Sequence, residues 1–401
     1  MAFLFLVTAS TTFVILYVQS AQFANFLKGK FATQIENELG LVVDFERLSI
    51  QAIPPGVAII NPVIQEIKPN NVLKIPSDAV FKASQIGLTF RMFQTFGNKL
   101  VVNRFFLRDA QIKLSIEANK SSSASSVDAE LIRLLSQPIK IRLDSGFELD
   151  IRQIELKDSV VDLELKGDKL ERLKIGRIKF FALRPERALY SSVIDLEELS
   201  WKWDGKEDSI ASLRANLEVD PSNVRIISLD FTRPEMNLHM GGSFQGDIAE
   251  PKKMKGSLRV IGRASSAGLS KIDPVFEKLK GTYGVELVLE GTHASYLAKG
   301  KIDVGGFAYN LWELDKAIIE FELSKSEFKV KSFRATRKDG ELSAEPFAIS
   351  LVGAELAARF RVLFKNVNFQ DFAGDLRHDV NNLEMMLNGH ADIDLGLVRE
   401  R

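Results

Sequence analysis

Alternation of apolar and charged side chains at a period of two is the dominant pattern along most of the chain. It is clear in residues 161–166, 213–220, 319–323 and 358–364. Because successive side chains of a β-strand point to opposite faces, each segment predicts a strand with one apolar and one charged face. Such strands are typical of antiparallel sheets with one face in water. The pattern predicts a mainly β fold with a few short helices.

The apolar faces of these strands are the first candidate functional surface. The chain has 28 phenylalanines against 5 tyrosines and 3 tryptophans, and phenylalanine suits a dry surface because it has no polar group to satisfy. Two interpretations stay open, a sandwich core rich in phenylalanine and an open apolar groove. The scarcity of predicted helices to cover the strands favours the groove. Its candidate lining residues are Val161, Leu163, Leu165, Leu213, Leu217, Val219, Ile319, Phe321, Leu323, Phe360, Val362 and Phe364.

The N-terminus departs from the β pattern. Residues 1–20 carry no charged side chain, and twenty helical residues span roughly 30 Å, the thickness of a bilayer core. We expect a transmembrane anchor here. A cleaved signal peptide is the alternative, although its usual basic N-terminal region is missing. The candidate anchor residues are Phe3, Leu4, Phe5, Leu6, Val7, Phe13, Val14, Ile15 and Leu16.

An amphipathic helix is predicted directly after this segment. Phe23, Phe31 and Ile35 recur at helical spacing, and Gly40 stands where a C-terminal cap is expected. We expect this helix to pack on the first strands as a stem, in preference to lying on a membrane surface.

Three further segments interrupt the strands. Residues 119–128 are rich in serine and predict a linker between a region at 21–118 and a longer region at 129–401. Residues 129–136 predict a short helix. Pro274, at the first position of a helix, predicts another, closed by Gly281.

Composition and motifs argue against several classes of function. The 53 basic residues equal the 53 acidic ones, whereas a nucleic-acid binder needs a basic surface. No cysteine is present, and none of the four histidines is spaced for metal binding. Glycines 241 and 242 do not match a nucleophile motif and are interpreted as a turn. We therefore expect no enzyme activity, catalytic residue, metal or cofactor.

The order of these features resembles the AsmA-like family. The likeness rests on the N-terminal span and stem, on the sequence Pro-Pro-Gly-Val-Ala-Ile-Ile-Asn-Pro at 54–62, and on the strand patterns at 85–90, 100–106 and 112–116. Residues 300–306 through 339–342 look like repeats of the TamB branch of that superfamily.

The resemblance implies a fold, a place and a function. It implies an anchor in the inner membrane of a Gram-negative bacterium, with the body in the periplasm. The body would be a long, twisted antiparallel sheet curled into a groove, with residues 129–401 as its repeats. Its cargo would be phospholipid acyl chains moved between membranes, or it would support outer-membrane assembly with a protein partner there. The alternative is an anchored periplasmic scaffold with closed β-sandwiches and no lipid cargo.

Overall fold

A computed structural model of the chain shows a mainly β protein, with 77% strand and 8% helix. The predicted fold class, mainly β with few helices, is confirmed. The chain divides into two compact units, unit 1 at Met1–Pro221 and unit 2 at Ser222–Arg401. The structure describes residues 21–52, 54–69, 78–91, 99–117, 140–142, 148–166, 170–184, 190–220, 222–247, 250–271, 274–309, 312–352, 355–368 and 386–398.

Unit 1 consists of one helix followed by fourteen strands in its described part. The elements are α1 (Ala21–Leu39), β1 (Leu41–Asp44), β2 (Arg47–Ala52), β3 (Pro55–Ile60), β4 (Val63–Ile67), β5 (Val80–Lys82), β6 (Gln85–Phe90), β7 (Lys99–Arg108), β8 (Gln111–Glu117), β9 (Lys140–Arg142), β10 (Glu148–Ile151), β11 (Gln153–Lys166), β12 (Leu170–Leu183), β13 (Tyr190–Trp203) and β14 (Lys206–Asp220). The predicted linker at 119–128, the short helix at 129–136 and the anchor at 1–20 lie outside the described residues.

Helix α1 is the predicted stem. It contacts β1 and β2, and Lys28 Nζ lies 3.2 Å from Asp44 Oδ1 at that junction. Gly40 ends the helix with a φ of 69°, and its N–H donates to the Glu36 carbonyl at 3.0 Å. A residue with positive φ directly after a helix favours glycine, so the predicted cap is confirmed. Among the helices in the described part of the chain, none is both long and apolar enough to cross a membrane.

The sheet of unit 1 departs from the predicted antiparallel arrangement at one place. Strand β7 pairs in parallel with β10 and β11, and β8 pairs in parallel with β11. Parallel neighbours need a long crossover, and residues 118–147 lie between β8 and β10. Alternation is the same in both kinds of pairing, which is why the sequence did not indicate it. The parallel pairs also join strands from both sides of the predicted linker.

A line of backbone irregularities crosses unit 1. Asp109, Asp158 and Glu198 have φ values of 48°, 51° and 54°, and the register of β11 with β12 shifts beside Ser159. A hydrogen bond joins the irregularity at Asp109 to the one at Asp158, because the Asp109 N–H donates to the carbonyl of the preceding Lys157 at 2.9 Å. Bulges of this kind bend a strand and change which face the following side chains occupy.

Unit 2 is mainly a succession of antiparallel strands. Its described elements are β15 (Asn223–Arg233), β16 (Met236–Gln245), a first 3-10 helix (Pro251–Lys253), β17 (Lys255–Ser265), α2 (Ser266–Ser270), a second 3-10 helix (Pro274–Lys278), β18 (Leu279–Gly291), β19 (Tyr296–Tyr309), β20 (Trp312–Ser324), β21 (Glu327–Arg337), β22 (Gly340–Ala344), β23 (Phe347–Ser350), β24 (Glu355–Asn368) and β25 (Met386–Val398). The helix predicted at Pro274 is a short 3-10 helix, and Gly281 does not close it because Gly281 lies within β18.

The glycine pair at 241 and 242 lies inside β16, so the predicted turn there is wrong. A Cβ on Gly242 would lie 2.2 Å from the Ser257 carbonyl oxygen of the neighbouring strand. Real Cβ contacts are never this short, so glycine is needed for the close approach of β16 and β17 rather than for a change of direction.

Candidate functional site

A row of apolar residues runs across unit 2 on one face of the sheet. Cross-strand pairing places these residues side by side, one from each of ten strands. We call them the middle row: Phe231, Leu238, Gly262, Val285, Ile302, Ile319, Phe333, Ala344, Val362 and Ala391. No polar residue interrupts the row. All of its members except the buried Gly262 keep part of their surface exposed.

Apolar residues also flank the middle row on both sides. One flanking row is Leu229, Met240, Val260, Leu287, Gly300, Phe321, Val330 and Phe347, and the other is Met236, Ala264, Tyr283, Val304, Ala317, Ala335, Leu342 and Phe364. We call the three rows together the unit 2 apolar face. Every strand described in unit 2 belongs to one sheet, so among these residues no second sheet packs on that face.

The groove residues predicted in unit 2 all lie on this side of the sheet. Ile319 and Val362 belong to the middle row, while Phe321 and Phe364 belong to the flanking rows. Phe360 stacks on Phe347 with 4.3 Å between ring centroids. The last residue, Leu323, pairs with Ala298 and Phe328. Their shared face is observed, and their contact with lipid stays a prediction.

Phe321 differs from the others in its surroundings. It is only 7% exposed, and its ring centroid lies 5.4 Å from that of Phe328. A Cβ on Gly300 would lie 2.8 Å from Phe321 Cζ, so the ring fills the space above this glycine. Phe321 therefore stabilises the sheet as well as contributing to its apolar face.

The groove residues predicted in unit 1 also lie beside apolar neighbours, with one exception. Val161 and Leu163 lie between apolar residues of β8 and β12, while Leu165 pairs with Ile116. On β14, Leu213 and Val219 pair with Leu196 and Tyr190, whereas Leu217 pairs with the polar Ser192. One apolar row of this unit was not predicted from the sequence. It consists of Leu48, Ile59, Ile86, Leu107, Leu156, Phe180, Ile194 and Ala215.

In each unit, the opposite face of the sheet carries cross-strand ion pairs. In unit 1, Arg172 binds both carboxylate oxygens of Asp162, at 2.9 and 2.7 Å. In unit 2, Arg361 Nε donates to Asp392 Oδ1 at 2.9 Å. The hydrogen bond from each arginine lowers the pKa of its partner carboxyl group. Such pairs join neighbouring strands while leaving the charged face in water.

We expect these pairs to make the protein sensitive to acid. A carboxylate whose pKa is lowered by folding stabilises the folded state above its unfolded pKa, and this stability is lost as the pH falls through the folded pKa. The melting temperature should therefore decrease once the pH is lowered below about 4, which is near the ordinary pKa of aspartate. Asp162→Asn should cost at most about 1 kcal/mol at pH 7, because the pair lies at the surface. Thermal unfolding monitored by circular dichroism between pH 7 and pH 2 checks this, and the loss between pH 4 and pH 2 should be smaller in the variant.

Metal-ligating side chains do not cluster in the described ranges. Among those residues, no group of three histidine or acidic side chains is placed to hold a metal ion. His239 Nδ1 lies 2.6 Å from Asp230 Oδ1, but this pair is exposed on the charged face. The apolar faces are the candidate site because apolar neighbours follow one another across many strands there.

A cavity of about 310 Å³ adjoins the unit 2 apolar face. Its floor includes Leu238, Val285 and Ile302 of the middle row, and Leu269 of α2 and Phe276 of the second 3-10 helix form its roof. The exposed surface inside it is almost entirely apolar. Cavities of this size and character bind small apolar ligands or parts of larger ones.

Comparison with known proteins assigns no identity to this site. No protein-family model matches the sequence. No curated protein matches it either.

Proposed function

We propose that the protein is anchored in the inner membrane, lies in the periplasm and moves phospholipid between membranes along an apolar β-groove. The observation that carries the proposal is the middle row, in which ten neighbouring strands each contribute an apolar residue or glycine. The resemblance to AsmA-like proteins supports the location and the membrane anchor. Support of outer-membrane protein assembly belongs to the same proposal as a related role.

The chemistry of acyl chains suits such a surface. Each buried CH₂ group contributes about 0.8 kcal/mol without any directional bond. Lipid can therefore bind at many positions along a row with similar free energy, which movement along the row requires. The ion-paired face meanwhile stays in water, so lipid and solvent meet opposite sides of one sheet. No catalytic residue is needed for this process.

The dimensions of the middle row also support the proposal. Ten neighbouring strands are separated by nine spacings of about 4.8 Å, so the row is roughly 43 Å long. A phospholipid acyl chain spans about half of the roughly 30 Å hydrocarbon core of a bilayer. Several acyl chains can therefore lie on the unit 2 apolar face at once.

Mass spectrometry of bound lipid tests the proposal. The full chain is purified from membranes in mild detergent, washed extensively, and extracted for lipid analysis. We expect one or more phospholipids per protein to survive the washing. A folded protein that retains no phospholipid would contradict lipid transport and favour the anchored scaffold. Circular dichroism supplies the required check that the protein is folded.

A further inference from the structure

A helical cap holds the roof of the cavity in place at one end of the unit 2 apolar face. The cap consists of α2 and the second 3-10 helix, which pack on each other and on β18. Ser265 Oγ accepts a hydrogen bond from the Gly268 N–H at 3.2 Å, and Ser266 Oγ donates to the Gly281 carbonyl at 3.1 Å. These contacts tie the start of α2 to the strands at both sides of it.

Gly268 brings the cap close to the turn between β15 and β16. A Cβ at this position would lie 2.7 Å from the Glu235 carbonyl oxygen, so no larger residue fits without a shift. Even so, the close contact of the cap with the sheet leaves about 310 Å³ between the roof and the floor. The cavity is therefore present even though the cap packs closely on the sheet.

The shape and position of the cavity select its occupant. Four consecutive members of the middle row, Leu238, Gly262, Val285 and Ile302, line it. A flexible chain that lies on these four residues therefore contacts three apolar side chains and a glycine. A water molecule occupies about 30 Å³ of liquid volume. Because a methylene group is of similar size, the cavity holds about ten methylene groups, which is the terminal part of one acyl chain.

We infer that this cavity binds the end of a single acyl chain beneath the helical cap. The inference rests on the proposed lipid function and adds a defined position to it. On the rest of the unit 2 apolar face, a chain can lie at any of several neighbouring strands. In the cavity, the roof residues Leu269 and Phe276 cover a chain end from one side, and the volume of about 310 Å³ has room for one, so this position holds lipid at a stoichiometry of one.

Photo-cross-linking tests the inference on the full chain in mild detergent. The probe is palmitic acid with a diazirine near its methyl end, and the cross-linked residues are mapped by mass spectrometry. The test variant is Val285→Trp, which fills the cavity. The matched control is Val288→Trp on the same strand, because Val288 pairs with Arg259 and Lys299 on the charged face. We expect cross-links to the cap in the unmodified protein and in the control, and at least a tenfold loss in Val285→Trp.

A second variant keeps the test decisive if Val285→Trp does not fold. In Gly262→Ala, the new Cβ would lie 3.0 Å from Leu238 Cδ1 and 3.1 Å from Val285 Cγ1, both at the ends of flexible side chains. This variant narrows the floor of the cavity and should reduce cross-linking to the cap, with the fold checked by circular dichroism.

The outcomes separate the cavity from the lipid function as a whole. Equal cross-linking to the cap in Val285→Trp and Val288→Trp would overturn the inference. Cross-links confined to β20–β24, with retained phospholipid, would overturn it and leave the proposed function standing. Cap cross-links that depend on Val285 in a protein without retained phospholipid would support the cavity and contradict lipid transport. An absence of any cross-link would overturn the inference.

Discussion

Ile319→Glu is expected to lower the phospholipid retained by the purified protein about tenfold, whereas Ile318→Glu is expected to leave it nearly unchanged. Displacing two CH₂ groups of bound lipid, at about 0.8 kcal/mol each, already accounts for the tenfold loss in Ile319→Glu. The two isoleucines are adjacent in β20 and face opposite sides of the sheet. Ile319 pairs with Ile302 and Phe333 in the middle row, so a carboxylate there has only apolar neighbours and draws in water.

Ile318 is a close control for this experiment. It pairs with Asp303 and Arg334 on the charged face, where a carboxylate can approach the guanidinium of Arg334. Both variants introduce the same side chain, and both original residues are half-buried. The measurement is lipid mass spectrometry on the full 401-residue chain, with circular dichroism to confirm folding. Equal lipid retention in the two folded variants would show that the middle row is not the binding surface.

Phe321→Ala is expected to destabilise the protein by about 3–5 kcal/mol, the usual cost of removing a buried phenylalanine. The side chain is 7% exposed, and it packs above Gly300 and beside Phe328. Gly300 has no side chain that could move into the space that the ring leaves. The free energy of unfolding is measured by chemical denaturation of the full chain followed by circular dichroism.

Leu363→Ala is the control for the Phe321 variant. Leu363 is 41% exposed in the same unit, and its replacement is expected to change the unfolding free energy by no more than about 0.5 kcal/mol. A similar small change for Phe321→Ala would mean that the ring is not a packing element. The prediction would then fail.

Local pattern was sufficient to predict strands and their faces. Val161 and Leu163 in unit 1, and Ile319 in unit 2, were assigned from alternation alone, and each has apolar cross-strand neighbours. Alternation works here because the two faces of a strand differ by a period that a few residues reveal. The C-terminal cap at Gly40 was also predictable from nearby residues, because a glycine directly after a helical pattern indicates where the helix ends.

Features that depend on distant parts of the chain were not predictable. Ile175 and Ile178 are three residues apart on β12, but their partners Val161 and Ser159 are only two residues apart on β11. This change of register lies beside Asp158, which has a positive φ. The bend needs a positive φ, which aspartate adopts without any obvious sequence signal. The cavity was missed for a similar reason, because Leu269 and Phe276 gain their role only where the cap meets the sheet.

Strand connectivity has a consequence for how the two units fold. In unit 2 most strands pair with the next one along the chain, so each new hairpin can add to those already formed while the chain is still emerging. Unit 1 cannot be completed in this way, because β7 and β8 must wait for β10 and β11, which lie beyond residues 118–147. Bringing together strands that are far apart in sequence costs more chain entropy than closing a hairpin, and this cost precedes the pairing that repays it. We therefore expect unit 1 to fold more slowly and to depend more on chaperones for protection of its unpaired edges.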